Sequence, residues 1–236
     1  MNRLILGAVI LMGLVSGLSA GQNNGLYYVD GFYKSTKSIK SNLIQNNTKL
    51  NNSCGPTSLL FAFNHYYYKK YNRSSSMFSS LTKSKYFVKK IYSKISTASY
   101  NTDTTLGELR GVAKSYLNWK SVARKSSNSS FETNRINLIK TLKVNKLALI
   151  VLDGDFVRNP VYDENGFYRH IVIVYAYQSR RDETGEPATS SSNTHNKDRI
   201  YYYDPYYGNV GYVTIQEIHE GALAIVNLAY LQIAPK

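Results

Sequence analysis

The chain has 236 residues, 43% of them apolar, includes 22 tyrosines, and carries a formal net charge of +14. That apolar content excludes wholesale disorder, and the length suits one main domain with room for a lobe on each side of a cleft. The aromatic load is mostly Tyr, which packs its ring while keeping a polar tip in water.

Met1-Asn2-Arg3 is a short basic start, and Leu4 to Leu18 is apolar apart from Gly7, Gly13, Ser16 and Gly17. Small residues Ser19, Ala20 and Gly21 follow, then the polar run Gln22-Asn23-Asn24. This order predicts a secretory signal peptide over 1–20, because a membrane-spanning helix needs roughly 20 apolar residues. A cut after Ser19 reads as well as one after Ala20, and a retained anchor is the alternative. The expected mature domain is 21–236, exported to the periplasm or beyond. Without Arg3 it keeps 28 basic and 15 acidic residues. Such a surface is drawn to anionic cell-surface polymer or membrane surface. However, Lys69, Lys70, Lys83, Lys85, Lys89, Lys90 and Lys94 are spread through helical segments, which favours a solubilising charge over a compact basic arm.

Residues 21–53 are polar and read as an N-terminal arm, extended with short strands at best. Leu59, Phe63, Tyr66 and Tyr67 then recur at helical spacing, and Pro56 sits where a first helical turn tolerates it. Cys54 therefore falls at or just before a helix N-terminus. Phe78, Leu81, Val88, Ile91, Tyr92 and Ile95 form a second helical stripe. Thr105 and Glu108 are spaced as a capping box ahead of Leu109, Val112, Tyr116 and Leu117. A fourth helix is expected over Phe131 to Lys143, after the loop Ser126 to Ser130.

The period changes in the last third. Leu147 to Leu152 is a continuous apolar run suited to a buried strand; His170 to Tyr177 and Arg199 to Tyr203 are β-branched and aromatic. Gly211 to Ile215 and Leu223 to Ile233 complete the expected sheet, and 178–198 reads as a long mobile loop. Helices first and strands later predict an α+β fold, a helical lobe packed on an antiparallel β-sheet. The sequence has no internal repeat, no Gly-rich phosphate loop, no spaced Cys/His set for a metal and no nucleic-acid motif, so neither cofactor nor metal is expected.

Cys54 is the only cysteine, so it makes no internal disulfide. It is either an inert thiol or a chemical one. At a helix start it would face unpaired backbone N–H groups and the positive helix end, which favour the nucleophilic thiolate. A nucleophile needs a base, and there are four histidines. His65 stands roughly 16 Å further along the same helix. His195 belongs to the mobile loop, and His219 to the surface-like stretch Gln216 to Glu220. His170 remains, at a strand start next to a loop. Asp204, at a strand end before Pro205, is either the group that orients such a base or a plain turn aspartate.

Cys54-Gly55-Pro56-Thr57-Ser58, then Arg169-His170-Ile171-Val172, then Tyr203-Asp204-Pro205 resembles the bacterial bacteriocin-processing (double-glycine leader) peptidases and their exported stand-alone relatives, within the papain-like cysteine peptidases. The resemblance spans about Gln45 to Tyr212. It implies a papain-like fold, with Cys54 as nucleophile, His170 as general base and acid, and Asp204 as orienter. The family pattern also places a glutamine shortly before the cysteine to hold the oxyanion. Here the nearest is Gln45, nine residues upstream, with Thr48, Asn51 and Asn52 closer. Gln45 is the expected oxyanion residue, with an asparagine or backbone N–H groups alone as alternatives. The membrane spans and ATPase of the bacteriocin exporters have no counterpart, so cleavage after a double glycine is not implied.

The function expected from this reading is thiol-dependent hydrolysis of a peptide or isopeptide bond in a protein or peptide substrate. An acyltransferase of transpeptidase or transglutaminase type would use the same residues. A catalytically retired, basic surface-binding protein is the non-enzymatic alternative.

Overall fold

The computed structural model describes residues 25–32, 44–50, 52–73, 75, 78–95, 104–119, 123–124, 130–153, 169–179, 197–221, 228 and 230–235. The expected signal peptide at 1–20 and all but the ends of the 178–198 loop lie outside the described residues.

The chain is α+β. Within 21–53 a short strand β1 (Leu26–Tyr28) and a single helical turn α1 (Gln45–Thr48) form. Three longer helices follow: α2 (Cys54–Tyr71), α3 (Leu81–Tyr92) and α4 (Leu106–Ser115). After the two-residue β2 (Ala123–Arg124) comes α5 (Phe131–Lys143), then β3 (Leu147–Asp153), β4 (Arg169–Gln178), β5 (Arg199–Asp204) and β6 (Asn209–Thr214). A last helix α6 (Ile215–Gly221) and β7 (Tyr230–Ile233) complete the described elements.

The strands form one antiparallel sheet in the order β2-β7-β3-β4-β5-β6. Strand β1 pairs with β4 at Tyr28↔Ala176, continuing the edge that β3 occupies up to Ala148↔Val174. Burial explains the unbroken apolar runs. Leu147 through Ile150, and Ile171 through Tyr177, are buried at successive positions, so both faces of the central strands are covered. Helix α2 packs on β4, and α5 packs on β1, β3, β4 and β7.

Local chemistry sets the helices. Ser80 accepts from Lys83 N to open α3, whose Phe87, Val88, Ile91 and Tyr92 are buried, each side chain contributing about 1.5–3 kcal/mol. Thr105 and Glu108 make the reciprocal capping box on α4, and Ser130 caps α5. The stretch around His219 is helical, opened by a second reciprocal box: Thr214 N donates to Glu217 Oε2 (2.8 Å) and Glu217 N to Thr214 Oγ1 (3.1 Å). Of the strand expected over Leu223 to Ile233, Tyr230–Ile233 is observed, while 223–227 and 229 lie outside the described residues. No helix among the described residues is long and apolar enough to cross a membrane.

Candidate active site

Cys54 is the first residue of α2. The N-cap Ser53 makes no side-chain capping bond; its hydroxyl turns away to Leu50 O at 2.8 Å. Pro56 has no N–H, so the free backbone donors of this turn are concentrated at its opening residues. Gly55 is required by packing: a Cβ there would collide with Thr104 Oγ1 and stand 2.9 Å from Leu109 Cδ1. Helix α4 thus presses directly on the turn that carries the sulfur.

His170 and Asp204 come from neighbouring antiparallel strands at the same end of the sheet. The β4–β5 ladder ends at Ile173↔Tyr203, so continuing the register sets Asp204 opposite Val172. His170 lies two residues from Val172 on the same face, a diagonal neighbour within reach of long side chains. His170 Nε2 and Asp204 Oδ1 are 2.8 Å apart, and both residues are buried, 4% and 1% exposed. Asp204 Oδ1 also accepts from Tyr206 N at 2.7 Å, which fixes the carboxylate across its own turn. With Nε2 committed to the carboxylate, Nδ1 is the nitrogen left for the sulfur, and the ring lies close enough to Cys54 to be raised by it.

Burial acts against a charge on the His170 ring. The hydrogen bond from Asp204, then the hydrogen bond and charge of Cys54, outweigh it and raise the imidazole to about 10. The ring is therefore held as imidazolium.

The strand backbone supplies a further contact. Pairing of β4 with β5 stops before Ile171, because Pro205 follows Asp204. Helix α2 occupies the vacated ladder position: Ile171 N donates to Cys54 Sγ at 3.4 Å, and Ser58 Oγ donates to Ile171 O at 3.2 Å. Neither contact follows from the sequence pattern, although the four-residue interval from Cys54 to Ser58 places both on one helix face.

Gln45 is 2% exposed on α1, which docks on the turn after Asp204: Gln45 N donates to Pro205 O (2.9 Å) and Asn46 N to Tyr206 O (3.3 Å). Its Nε2 makes one long bond, 3.5 Å to Leu50 O, and Oε1 has no hydrogen-bond partner among the described residues. The nine-residue interval to Cys54 is taken up by the α1 turn and by left-handed residues Lys49 and Asn52. Thr48 is buried and bonded to Gln45 O, and Asn51 lies outside the described residues.

The remaining histidines are elsewhere. His65 is 1% exposed within α2, its ring 5.5 Å from that of Phe32; burial, reinforced by Lys69, lowers it to about 3. His219 belongs to α6, and His195 lies outside the described residues. Among the described residues no group of three or more His, Cys, Asp or Glu side chains could hold a metal ion.

No family model matches the chain, and no curated protein does. Among solved structures, a recombinant stem bromelain precursor is similar at 9% identity and a TM-score of 0.43, over 94% of this chain and 76% of that one.

Proposed function

We propose that the chain is an exported cysteine peptidase, papain-like and similar to the bacteriocin-processing peptidases, with Cys54 as nucleophile. The observation that supports it best is the buried His170–Asp204 pair, 2.8 Å apart, whose ring is raised further by the neighbouring Cys54. The Cys54 sulfur also accepts from Ile171 N at 3.4 Å.

In this reading Cys54 Sγ attacks the scissile carbonyl carbon and the carbonyl oxygen takes up the charge. Uncapped N–H groups at the start of α2, with the Gln45 amide, stabilise that oxyanion. The C–N bond breaks as His170 gives its Nδ1 proton to the leaving amine, leaving a thioester and a neutral ring. Water then attacks the thioester, His170 takes its proton, and the Cys54 thiolate departs with the imidazolium restored. Asp204 keeps the ring in one tautomer and orientation throughout.

The test is turnover of a peptide library by the purified protein and by Cys54→Ala. Loss of all cleavage in the variant is expected, whereas equal cleavage by both refutes the assignment. Repeating the assay with an added primary amine separates hydrolysis from acyl transfer by the mass of the product.

A further inference from the structure

Helix α3 has an inner face of Ser84, Phe87, Val88, Ile91 and Tyr92, all buried. Around and beyond its outer face stand Lys83, Lys85, Lys89, Lys90 and Lys94, with no acidic residue from Leu81 to Ile95. Among the described residues, Lys83, Lys85 and Lys90 have no carboxylate within ion-pair distance. Lys85/Lys89 is a like-charge pair at i,i+4, destabilising the helix by about 0.2–0.5 kcal/mol. A solubilising surface of mixed sign avoids that cost, so the single sign calls for another explanation.

One of these lysines, Lys83, lines a recess. A cavity of about 400 Å³ between α3 and the end of α4 is lined by Thr82, Lys83, Tyr86, Phe87 and Tyr116. Tyr86 is 68% exposed and Tyr116 37%, and Lys94 Nζ lies 5.9 Å from the Tyr116 ring. The floor is aromatic, and the cations at its edge are donors only.

We propose that this recess docks an acidic peptide segment bearing one aromatic or branched apolar side chain. The side chain enters against Phe87 and Tyr116, while flanking carboxylates meet Lys83 in the lining and Lys90, four residues beyond Tyr86 on the same helix face. A single recess suits one anchor residue in a charged chain. A single-stranded nucleic acid needs successive stacking platforms instead, and a polysaccharide needs acceptors for its hydroxyls, which lysines do not supply. Phe87 packs against Phe63 (5.9 Å between ring centroids), nine residues beyond Cys54 on α2 and so about 13 Å along the axis. An occupied recess therefore leaves the sulfur open, and docking does not depend on the catalytic reading.

The test uses the full chain with Cys54→Ala, to prevent cleavage, and a short fluorescent peptide of Asp, Glu and Ser around one central Phe. Fluorescence anisotropy is expected to show saturable binding that weakens about tenfold when the peptide's Phe becomes Ala or the protein carries Tyr86→Ala. Lys83→Glu with Lys90→Glu is expected to weaken it by a similar factor and to flatten its salt dependence. Both sites are solvent-facing, so unchanged circular dichroism is expected; Tyr86→Ser and Lys90→Glu alone serve as milder variants. Binding indifferent to Tyr86 and to charge reversal overturns the proposal. So does tighter binding of a uronic-acid polysaccharide or oligothymidylate that displaces the peptide.

Discussion

Asp204→Asn removes a charge while keeping an oxygen in position to accept from His170 Nε2 and Tyr206 N. Burial alone would push His170 down, yet the ring is raised to about 10, with the Asp204 hydrogen bond the foremost opposing cause. An opposite charge at hydrogen-bond distance is worth about 1–3 pK units, and each unit is about 1.4 kcal/mol. Because Cys54 supplies part of the effect, Asp204 is assigned about 1–2 units, or about 1.4–2.7 kcal/mol. A raised histidine stabilises the fold fully below its unfolded value near 6.5, and that contribution is lost as pH climbs towards 10. In a Cys54→Ala background, Asp204→Asn should therefore lower urea-unfolding stability by about 1.4–2.7 kcal/mol at pH 6, with a smaller or reversed gap near pH 10. In the thiol-bearing chain, the alkaline limb of kcat/KM should fall by the same 1–2 units, because the imidazolium is the acid for the leaving amine. An unmoved alkaline limb, together with an equal stability gap at both pH values, would refute the reasoning.

Ser58→Ala removes the hydroxyl that holds Ile171 O. It should cost about 1 kcal/mol of stability and lower kcat several-fold at unchanged KM. Gly55→Ala forces a Cβ onto Thr104 and Leu109. A loss of about 1–3 kcal/mol and slower alkylation of Cys54 are expected, with partial relief on adding Thr104→Ala. His65 stays neutral in the fold down to about pH 3 while the unfolded chain takes a proton near 6.5. Stability should thus fall with pH below 6.5 by up to about 1.4 kcal/mol per unit, and His65→Phe should flatten that part of a urea titration. Gln45→Ala should lower kcat on the order of a hundredfold with little change in KM; a loss below about threefold would assign the oxyanion to backbone donors alone.

Much of the fold is legible because its signals are local. The Phe131 to Lys143 helix, the Thr105 box and the buried run from Leu147 follow from spacing and capping alone. The helix at Ile215–Gly221 carries the same kind of signal, Thr214 followed three residues later by Glu217, but seven residues are too few to show a helical period. Strand β1 was unreadable for a different reason. Three residues have no period of their own and are ordered by pairing with β4, 150 residues away. At the candidate site, elimination among four histidines and the Asp-Pro stop point to residues that the structure brings together. The Ile171 bonds and the Gly55–Thr104 contact depend on how a helix meets a strand, which no linear spacing encodes.

The two ends of β4 are closed in different ways. At the far end, Tyr177 OH donates to Asp198 Oδ2 at 2.7 Å and accepts from Arg135 Nη1 at 3.2 Å, while Arg135 grips Glu132 with two further bonds. There β5 still pairs, through Tyr177↔Ile200, and the buried charges satisfy one another. At the near end Pro205 breaks the ladder and leaves Ile171 to be met by side chains of α2. A side-chain sulfur in a position that a backbone carbonyl would otherwise fill is a weaker acceptor as a thiol and a stronger one as a thiolate. The missing ladder partner thus leaves Ile171 N to be met by the Cys54 sulfur. The strand that carries the imidazole also supplies the donor for the sulfur, so the two groups are set in register by one backbone.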